Sequence, residues 1–465
     1  MAKRSTISLY ALLLGAGSAT LMPAQTGGFG GMNGFGGMGL MNGAGFNRSD
    51  GRGAAFVPFV NLFGNYSTDL TPLTTESVQS NGLNRRGAGI TAGAQAYKNW
   101  QRMNVGFNYA GAYRYVDGVR NLNTTSHIAN LGFNRQLTRK MSFSLGQFGG
   151  TAIGGYGLGA GFAGLGGLGR FGGMFSGMIG NQAFGDPSFN GIVDAELFDN
   201  RVNFYGSSGQ LSYTPSMRWQ IGFGGGGNFV RRKGAGGMNS AVASAQAGYR
   251  ISRSGSVFAS YSHMMIMYPN MFGDAQGDSV NGGISWQFGP RTHVGFSAGV
   301  FRGTSTFIGR VPLDPIIAAL LGQTSVSEIR NSRRLGGGFN AFVGRSFRRA
   351  TLSGYFSRGM TPGNGVVLFG IRDTAGVALG LNRIGPISVG FSGGYSRISS
   401  MVQPGLVMSS ASGTMRTGYR LARGLAVSFG TGYRVANLTG PFQRNQFFVN
   451  IGIGWSPGEY DIPFL

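Results

Sequence analysis

The sequence predicts an all-β chain that closes into a single transmembrane antiparallel up-and-down β-barrel of about 18 strands, with 16 as the alternative. Three observations predict it. Large apolar residues alternate with small or polar ones over many short segments. Short and long connections alternate along the chain. An export signal comes first, and no later apolar run approaches the roughly 18 residues that a spanning helix needs.

The alternation is explicit in several places. Val427, Phe429, Thr431, Tyr433 and Val435 form one face, and Ala426, Ser428, Gly430, Gly432 and Arg434 form the other. Over 103–115, Met103, Val105, Phe107, Tyr109, Tyr113 and Tyr115 oppose Asn104, Gly106, Asn108, Ala110, Ala112 and Arg114. Over 387–396, Ile387, Val389, Phe391 and Tyr395 oppose Ser388, Gly390, Ser392, Gly394 and Ser396. Period two is the period of a strand.

Eight short turns centre on 97–102, 135–140, 214–218, 250–255, 288–292, 345–350, 383–386 and 420–424. They pair sixteen strands, and strands near 54–66 and 446–456 complete the set. The longer connections are 67–86, 117–125, 152–202, 231–239, 268–278, 303–332, 361–372, 398–408 and 437–444. The Asp314-Pro315 pair before IIAALLG predicts a short helix in one of them. A soluble sandwich shows similar alternation, but it needs neither this loop pattern nor tyrosine at so many strand ends. Tyr97, Tyr113, Tyr115, Tyr213, Tyr249, Tyr419, Tyr433 and Trp455 read as interfacial girdles.

Four regions follow. Residues 1–24 read as a signal peptide, with Lys3 and Arg4 ahead of the apolar stretch from Leu9 to Leu21, and Ala24 at the cleavage site. Residues 25–53 are a Gly/Met-rich flexible lead-in, 54–456 the barrel, and 457–465 a C-terminal tail. The chain holds 88 glycines and no cysteine, which excludes disulfides, thiolate metal sites and cysteine nucleophiles. Its net charge is +24, or +22 without Lys3 and Arg4. Export argues against nucleic acid as the partner and favours anionic lipid, lipopolysaccharide or an anionic solute.

In its alternation, turn spacing, leader and terminal strand FFVNIGIGW, the chain resembles the large Gram-negative outer-membrane barrels of the porin-like class over roughly 54–456. The resemblance implies short periplasmic turns, long external loops, residence in the bacterial outer membrane and delivery by the outer-membrane assembly machinery.

Charge placement adds detail. The acids cluster in or beside the long connections, in the lead-in and in the tail. The short turns carry a basic periplasmic rim: Lys98, Arg102, Arg135, Arg139, Lys140, Arg218, Arg250, Arg253, Arg291, Arg345, Arg348, Arg349, Arg383, Arg420 and Arg423. It reads as anchorage to anionic headgroups, with a positive channel mouth as the sharper alternative. If Phe107, Phe391 and Val427 face lipid, the lumen face is mostly Gly, Ser, Ala and Asn, with Arg114, Arg416 and Arg434 as its charges. The lumen glycines read first as a device for strand curvature, and 152–202 and 303–332 as the connections long enough to fold inward.

Chemistry is sparse. His127, His263 and His293 have no ligand spacing, and Ser126–His127 and Ser262–His263 point to opposite faces of their strands. GFGGGG at 222–227 continues a strand and opens no helix. Asp194, Glu196 and Asp199 read as a solvated loop. The expectation is a non-enzymatic, cofactor-free channel for small hydrophilic solutes, with an anion preference. A conduit for an exported polymer such as exopolysaccharide, or a structural or adhesive barrel without an open pore, are the alternatives. Oligomeric state is left open.

Overall fold

Each alternating segment forms a strand in the computed structural model. It describes residues 54–68, 85–117, 124–153, 201–232, 237–269, 273–312, 325–361, 369–384, 386–402, 405–438, 443–457 and 460–461, with isolated positions between 314 and 323. The signal peptide, the lead-in, the 152–202 connection beyond Ile153 and the cluster of Asp194, Glu196 and Asp199 lie outside the described residues.

The strands are β1 (Ala54–Ser67), β2 (Arg85–Asn99), β3 (Met103–Val116), β4 (Thr124–Gln136), β5 (Met141–Ile153), β6 (Arg201–Tyr213), β7 (Trp219–Arg232), β8 (Met238–Arg250), β9 (Gly255–Met267) and β10 (Gly273–Phe288). They continue as β11 (Thr292–Pro312), β12 (Ser325–Ser346), β13 (Ala350–Thr361), β14 (Gly370–Ile384), β15 (Ile387–Ser400), β16 (Val407–Ala422), β17 (Leu425–Leu438), β18 (Gln443–Trp455) and the two-residue β19 (Tyr460–Asp461). All eight expected hairpins are present, and the count settles on eighteen spanning strands rather than sixteen.

Consecutive strands from β1 to β18 pair antiparallel, and β1 pairs with both β2 and β18, so the sheet closes. Closure leaves no edge, which is the condition a sheet must meet in hydrocarbon. The tail takes part in it. The β1–β18 ladder ends at Val60↔Trp455. β19 then pairs with Ala55 and Phe56. Pro58 sits in the gap, where its missing N–H breaks no ladder bond, and Ser456 Oγ donates to its carbonyl at 2.9 Å.

The outer face is apolar and accessible. Phe223, Val280, Val377, Ile451 and Ile453 are each about half exposed, Ile451 at 56%. A belt of this extent has no place on a soluble monomer and fits lipid contact. Tyr213, Trp219, Trp286, Tyr419 and Trp455 mark the belt at its short-turn end, and Tyr113, Tyr115, Tyr205 and Tyr395 mark it toward the long loops. Tyr97 differs from expectation. Its alternation places it opposite Gly106 on the inner face, outside either girdle.

At the short-turn rim, cations lie against aromatic rings. Lys98 Nζ stands 4.8 Å from the Trp100 ring centre and the Arg345 guanidinium 5.0 Å from that of Phe347. Arg218 Nη1 donates to Tyr249 Oη at 3.4 Å, beside Trp219. The other residues of the basic rim sit in the short turns or at the strand ends that flank them.

The expected connection 303–332 is largely strand. β11 runs on to Pro312 and β12 begins at Ser325, so this hairpin stands taller than its neighbours. The β-branched and hydroxylated run TSTFIGRV sustains pairing beyond the belt. Between the two strands, Asp314 Oδ1 accepts the Ile316 N–H at 2.9 Å, and Ile316, Ala319 and Leu320 are helical.

The register can be tested directly. Phe391 faces outward and is 42% exposed. Its neighbour Gly390 faces the lumen, where a Cβ added to it would meet nothing within 4 Å. Phe391→Arg should lower unfolding free energy by about 2–4 kcal/mol in lipid vesicles, and Gly390→Arg should change it little. Urea titration followed by gel mobility reads both, and the reverse order would break the face assignment.

Candidate functional site in the barrel lumen

Two kinds of cross-strand pair build the inner wall. The first sets an aromatic ring against a glycine: Phe59–Gly93 and Phe63–Gly89 between β1 and β2, Phe148–Gly206 and Phe204–Gly150 between β5 and β6, and Phe258–Gly283 between β9 and β10. Phe301–Gly336 and Phe342–Gly295 join β11 to β12, Tyr355–Gly376 joins β13 to β14, and Phe448–Gly432 joins β17 to β18. In every pair a Cβ added to the glycine would come within 3.0 Å of the ring. The rings therefore lie over bare backbone on the neighbouring strand. At these nine positions inward glycine is a seat for an aromatic ring.

The second kind is polar. Ser262 and Ser279 hydroxyls meet at 2.6 Å, Ser357 and Thr374 at 2.5 Å, and Ser392 and Thr414 at 2.6 Å, while Ser240 bonds Asn228. On β1 to β4 the side-chain oxygens of Asn61, Thr91, Asn108 and Asn130 have no hydrogen-bond partner among the described residues. In a dry core each such group would cost about 1–3 kcal/mol. Asn61, Thr91 and Asn130 are at most 4% exposed, so these oxygens are packed within the wall.

The three arginines singled out in the sequence all alternate inward, and the fold brings them to one wall. Arg416 on β16 lies on the rung Arg416–Gly430–Asn450–Asn65 that crosses β17, β18 and β1. Arg434 on β17 lies between Ser412 and Gln446. Arg114 on β3 approaches the same rung from the other side. With its amide oriented to satisfy both ends, Asn65 accepts from Arg114 Nη2 at 2.8 Å and donates to the Gly87 carbonyl at 3.3 Å. A fourth inward arginine, Arg372 on β14, escaped the sequence reading. It is 5% exposed, and its Nε donates to Ser396 Oγ at 3.4 Å. The alternation of Arg372, Thr374 and Gly376 against Ile371, Asp373 and Ala375 was the signal that could have found it.

The strand acids Asp274, Asp278 and Asp373 alternate outward. Asp278 Oδ1 receives the Tyr261 hydroxyl at 2.8 Å and contacts His263 Nδ1 at 2.8 Å. Arg358 Nη1 pairs with Asp373 Oδ1 at 3.1 Å. Ser262 bonds Ser279 inside the barrel while His263 bonds Asp278 outside, so the two form no catalytic pair.

The opposite wall is capped at the long-loop end. Phe369, before β14, and Met401 and Val402, after β15, fold inward and pack on Val242, Met264, Ile266 and Ala275 of β8 to β10. Phe369 and Met401 rest on Gly303, and Met360 of β13 rests on its directly paired partner Gly277. A Cβ on Gly303 would stand 2.7 Å from both Met401 Cε and the Phe369 ring. Backbone bonds fix the two segments together, Met401 N–H to Phe369 carbonyl at 2.8 Å, and Ser332 Oγ of β12 donates to the Met401 carbonyl at 3.1 Å. The segments that turn inward are thus the ends of the 361–372 and 398–408 connections. Of the two expected inward folds, 303–332 is strand, and 152–202 lies outside the described residues.

Gly303→Leu should dislodge this apolar cap and raise single-channel conductance in a planar bilayer. Gly344→Leu, also inward but with open space around it, should not raise it. Equal effects would dissociate the cap from the constriction.

No family model matches the sequence, and no curated protein matches it. Among solved structures, OccAB4 of Acinetobacter baumannii has a TM-score of 0.41 and 7% identity, covering 89% of this chain and all of its own. OccK2 (OpdF) of Pseudomonas aeruginosa has a TM-score of 0.42 and 10% identity, over 87% and 98% of the two chains. A BenF-like porin from Pseudomonas fluorescens Pf-5 has a TM-score of 0.40 and 9% identity, over 86% and 98%. At such scores nothing about function is drawn from them, and the closed barrel stands on its own ladders.

Proposed function

We propose that this chain is an outer-membrane channel for the passive passage of small hydrophilic solutes, with a preference for anions. The observation that carries the reading is the wall itself: apolar and girdled outside, lined inside by hydroxyls, carboxamides and arginines. Barrels of this strand number are wide enough to hold a water-filled lumen. The barrel removes the hydrocarbon barrier, and its narrowest level sets the size limit. Arg114, Arg416 and Arg434 share one wall, and Asp274, Asp278 and Asp373 alternate away from the lumen. Their summed field favours anions.

The mechanism requires no cofactor and no chemical step. The basic rim anchors the barrel to anionic phospholipid at the periplasmic interface, and lipopolysaccharide is the partner expected at the other. The ring-on-glycine pairs keep aromatic bulk flat against the wall. The same smoothness favours a second reading, a conduit for an exported polymer, in which a moving chain meets few projections.

Reversal potential in a salt gradient tests the first reading. The native barrel should pass anions better than cations, and the triple change Arg114→Ser, Arg416→Ser, Arg434→Ser should bring the permeability ratio toward unity. Anion preference that survives all three changes would remove these arginines from the mechanism. A folded barrel that never conducts, even with the cap displaced, would remove diffusion itself.

A further inference from the structure

The β12–β13 ladder stops early. It runs from Ser346↔Thr351 to Phe339↔Arg358. Beyond that rung β12 pairs with β11 as far as Ser325, and β13 pairs with β14 as far as Thr361. On the other side the ladders stay whole. β14 pairs with β15 to Gly370↔Ser400, and β15 pairs with β16 to Ser399↔Val407. The upper ends of β13, β14 and β15 are therefore one piece of sheet, attached along β16 and detached from β12.

That piece lies inside the barrel. Met360 on β13 and Ile371 on β14 continue the outward series of Phe356 and Val377, which are 43% and 52% exposed. Yet both pack on a cluster that includes the inward residues Val242, Met264, Ile266 and Ala275 of β8 to β10. A Cβ on inward Gly277 would stand 2.7 Å from Met360 Cε. An outward side chain meets the inner face of another wall only where its own strand has folded in front of that wall. Phe369 and Met401, at the strand ends, join the same cluster, and the Ser332 Oγ bond to the Met401 carbonyl latches them to β12.

Two arrangements compete for these residues. In the observed one, apolar contact on β8 to β10 is gained, and above Phe339 β12 keeps one flank without a ladder among the described residues. In the other, β13 zips onto β12 in the register already set, which adds the pairs Gly338–Gly359, Gly337–Met360 and Gly336–Thr361. Backbone bonds are then gained and the apolar seat is given up. Met360 and Ile371 return to the face that their alternation assigns. The run Gly336-Gly337-Gly338 has no side chains to hold β13 against β12 or to bar its approach.

We infer that the upper ends of β13 to β15 form a flap that gates the long-loop entrance, closed as observed and opened by zipping onto β12. The inference rests on the channel reading, because it names how that channel is regulated.

The cysteine-free chain permits a direct test. Met360→Cys is combined with Gly277→Cys in one variant and with Gly337→Cys in another. Without the methionine, the nearest neighbour of a Cβ on Gly277 is the Arg302 carbonyl at 3.7 Å, and a Cβ on Gly337 meets the Phe339 ring at 3.4 Å, so both variants should fold. Gly344→Cys with Ser353→Cys, a standing pair of the same ladder, is the control. A short bifunctional methanethiosulfonate should join position 360 to position 277, and oxidation should join position 360 to position 337. Mass spectrometry identifies each product. In planar bilayers the first link should hold conductance below that of the unlinked barrel, the second should raise it above, and reductant should reverse both. Absence of the 360–337 product where the control pair forms would overturn the movement. A steady current unchanged by either link would overturn the gate. No current under either link, with both products formed, would overturn the channel reading and leave the strand movement standing.

Discussion

Backbone hydrogen bonding without water is the constraint on which the rest depends. A strand in hydrocarbon must satisfy its N–H and C=O groups on both flanks. β1 does so by pairing with β2 and β18, and the chain end adds β19 where β18 stops. Once closure is fixed, the period of two divides every residue between lipid and lumen, and all functional questions become questions about the inner face.

That inner face resolves a conflict. Strands resist glycine, which packs poorly and costs entropy, yet the chain carries 88. Nine of those on the inner face lie opposite an aromatic ring on the next strand. The ring supplies the missing contact, and the glycine lets the ring lie flat. Between these tiles, hydroxyl pairs and unpartnered carboxamides keep the wall polar. The Gly277–Gly303 pair uses the same bare surface for another purpose: Gly303 seats the inward cap of Phe369 and Met401, and Gly277 seats Met360.

Much of this was legible in the sequence. Alternation and turn spacing gave the strands, the eight hairpins and the inward side of Arg114, Arg416 and Arg434, because those are local properties of the chain. Pairings across strands were not legible. Phe448 sits on the small-residue face, which looks like an exception until Gly432 is seen opposite it. Tyr97 looked like a girdle residue until its face was known. The 303–332 stretch read as a loop because loops and tall hairpins share polar composition. The cap was hidden because its parts, Phe369, Met401 and Met264, are far apart in sequence and meet only after closure.

The central claim is that the small, polar face borders water inside a closed wall. Alternate single cysteines along β15, at Ser388, Val389, Gly390, Phe391 and Ser392, placed in the cysteine-free chain and embedded in lipid bilayers, test it most directly. A water-soluble, membrane-impermeant thiol reagent should modify the cysteines at 388, 390 and 392 rapidly and leave those at 389 and 391 protected. Uniform protection would mean a dry interior, and uniform or inverted reactivity would contradict the barrel's assignment of faces.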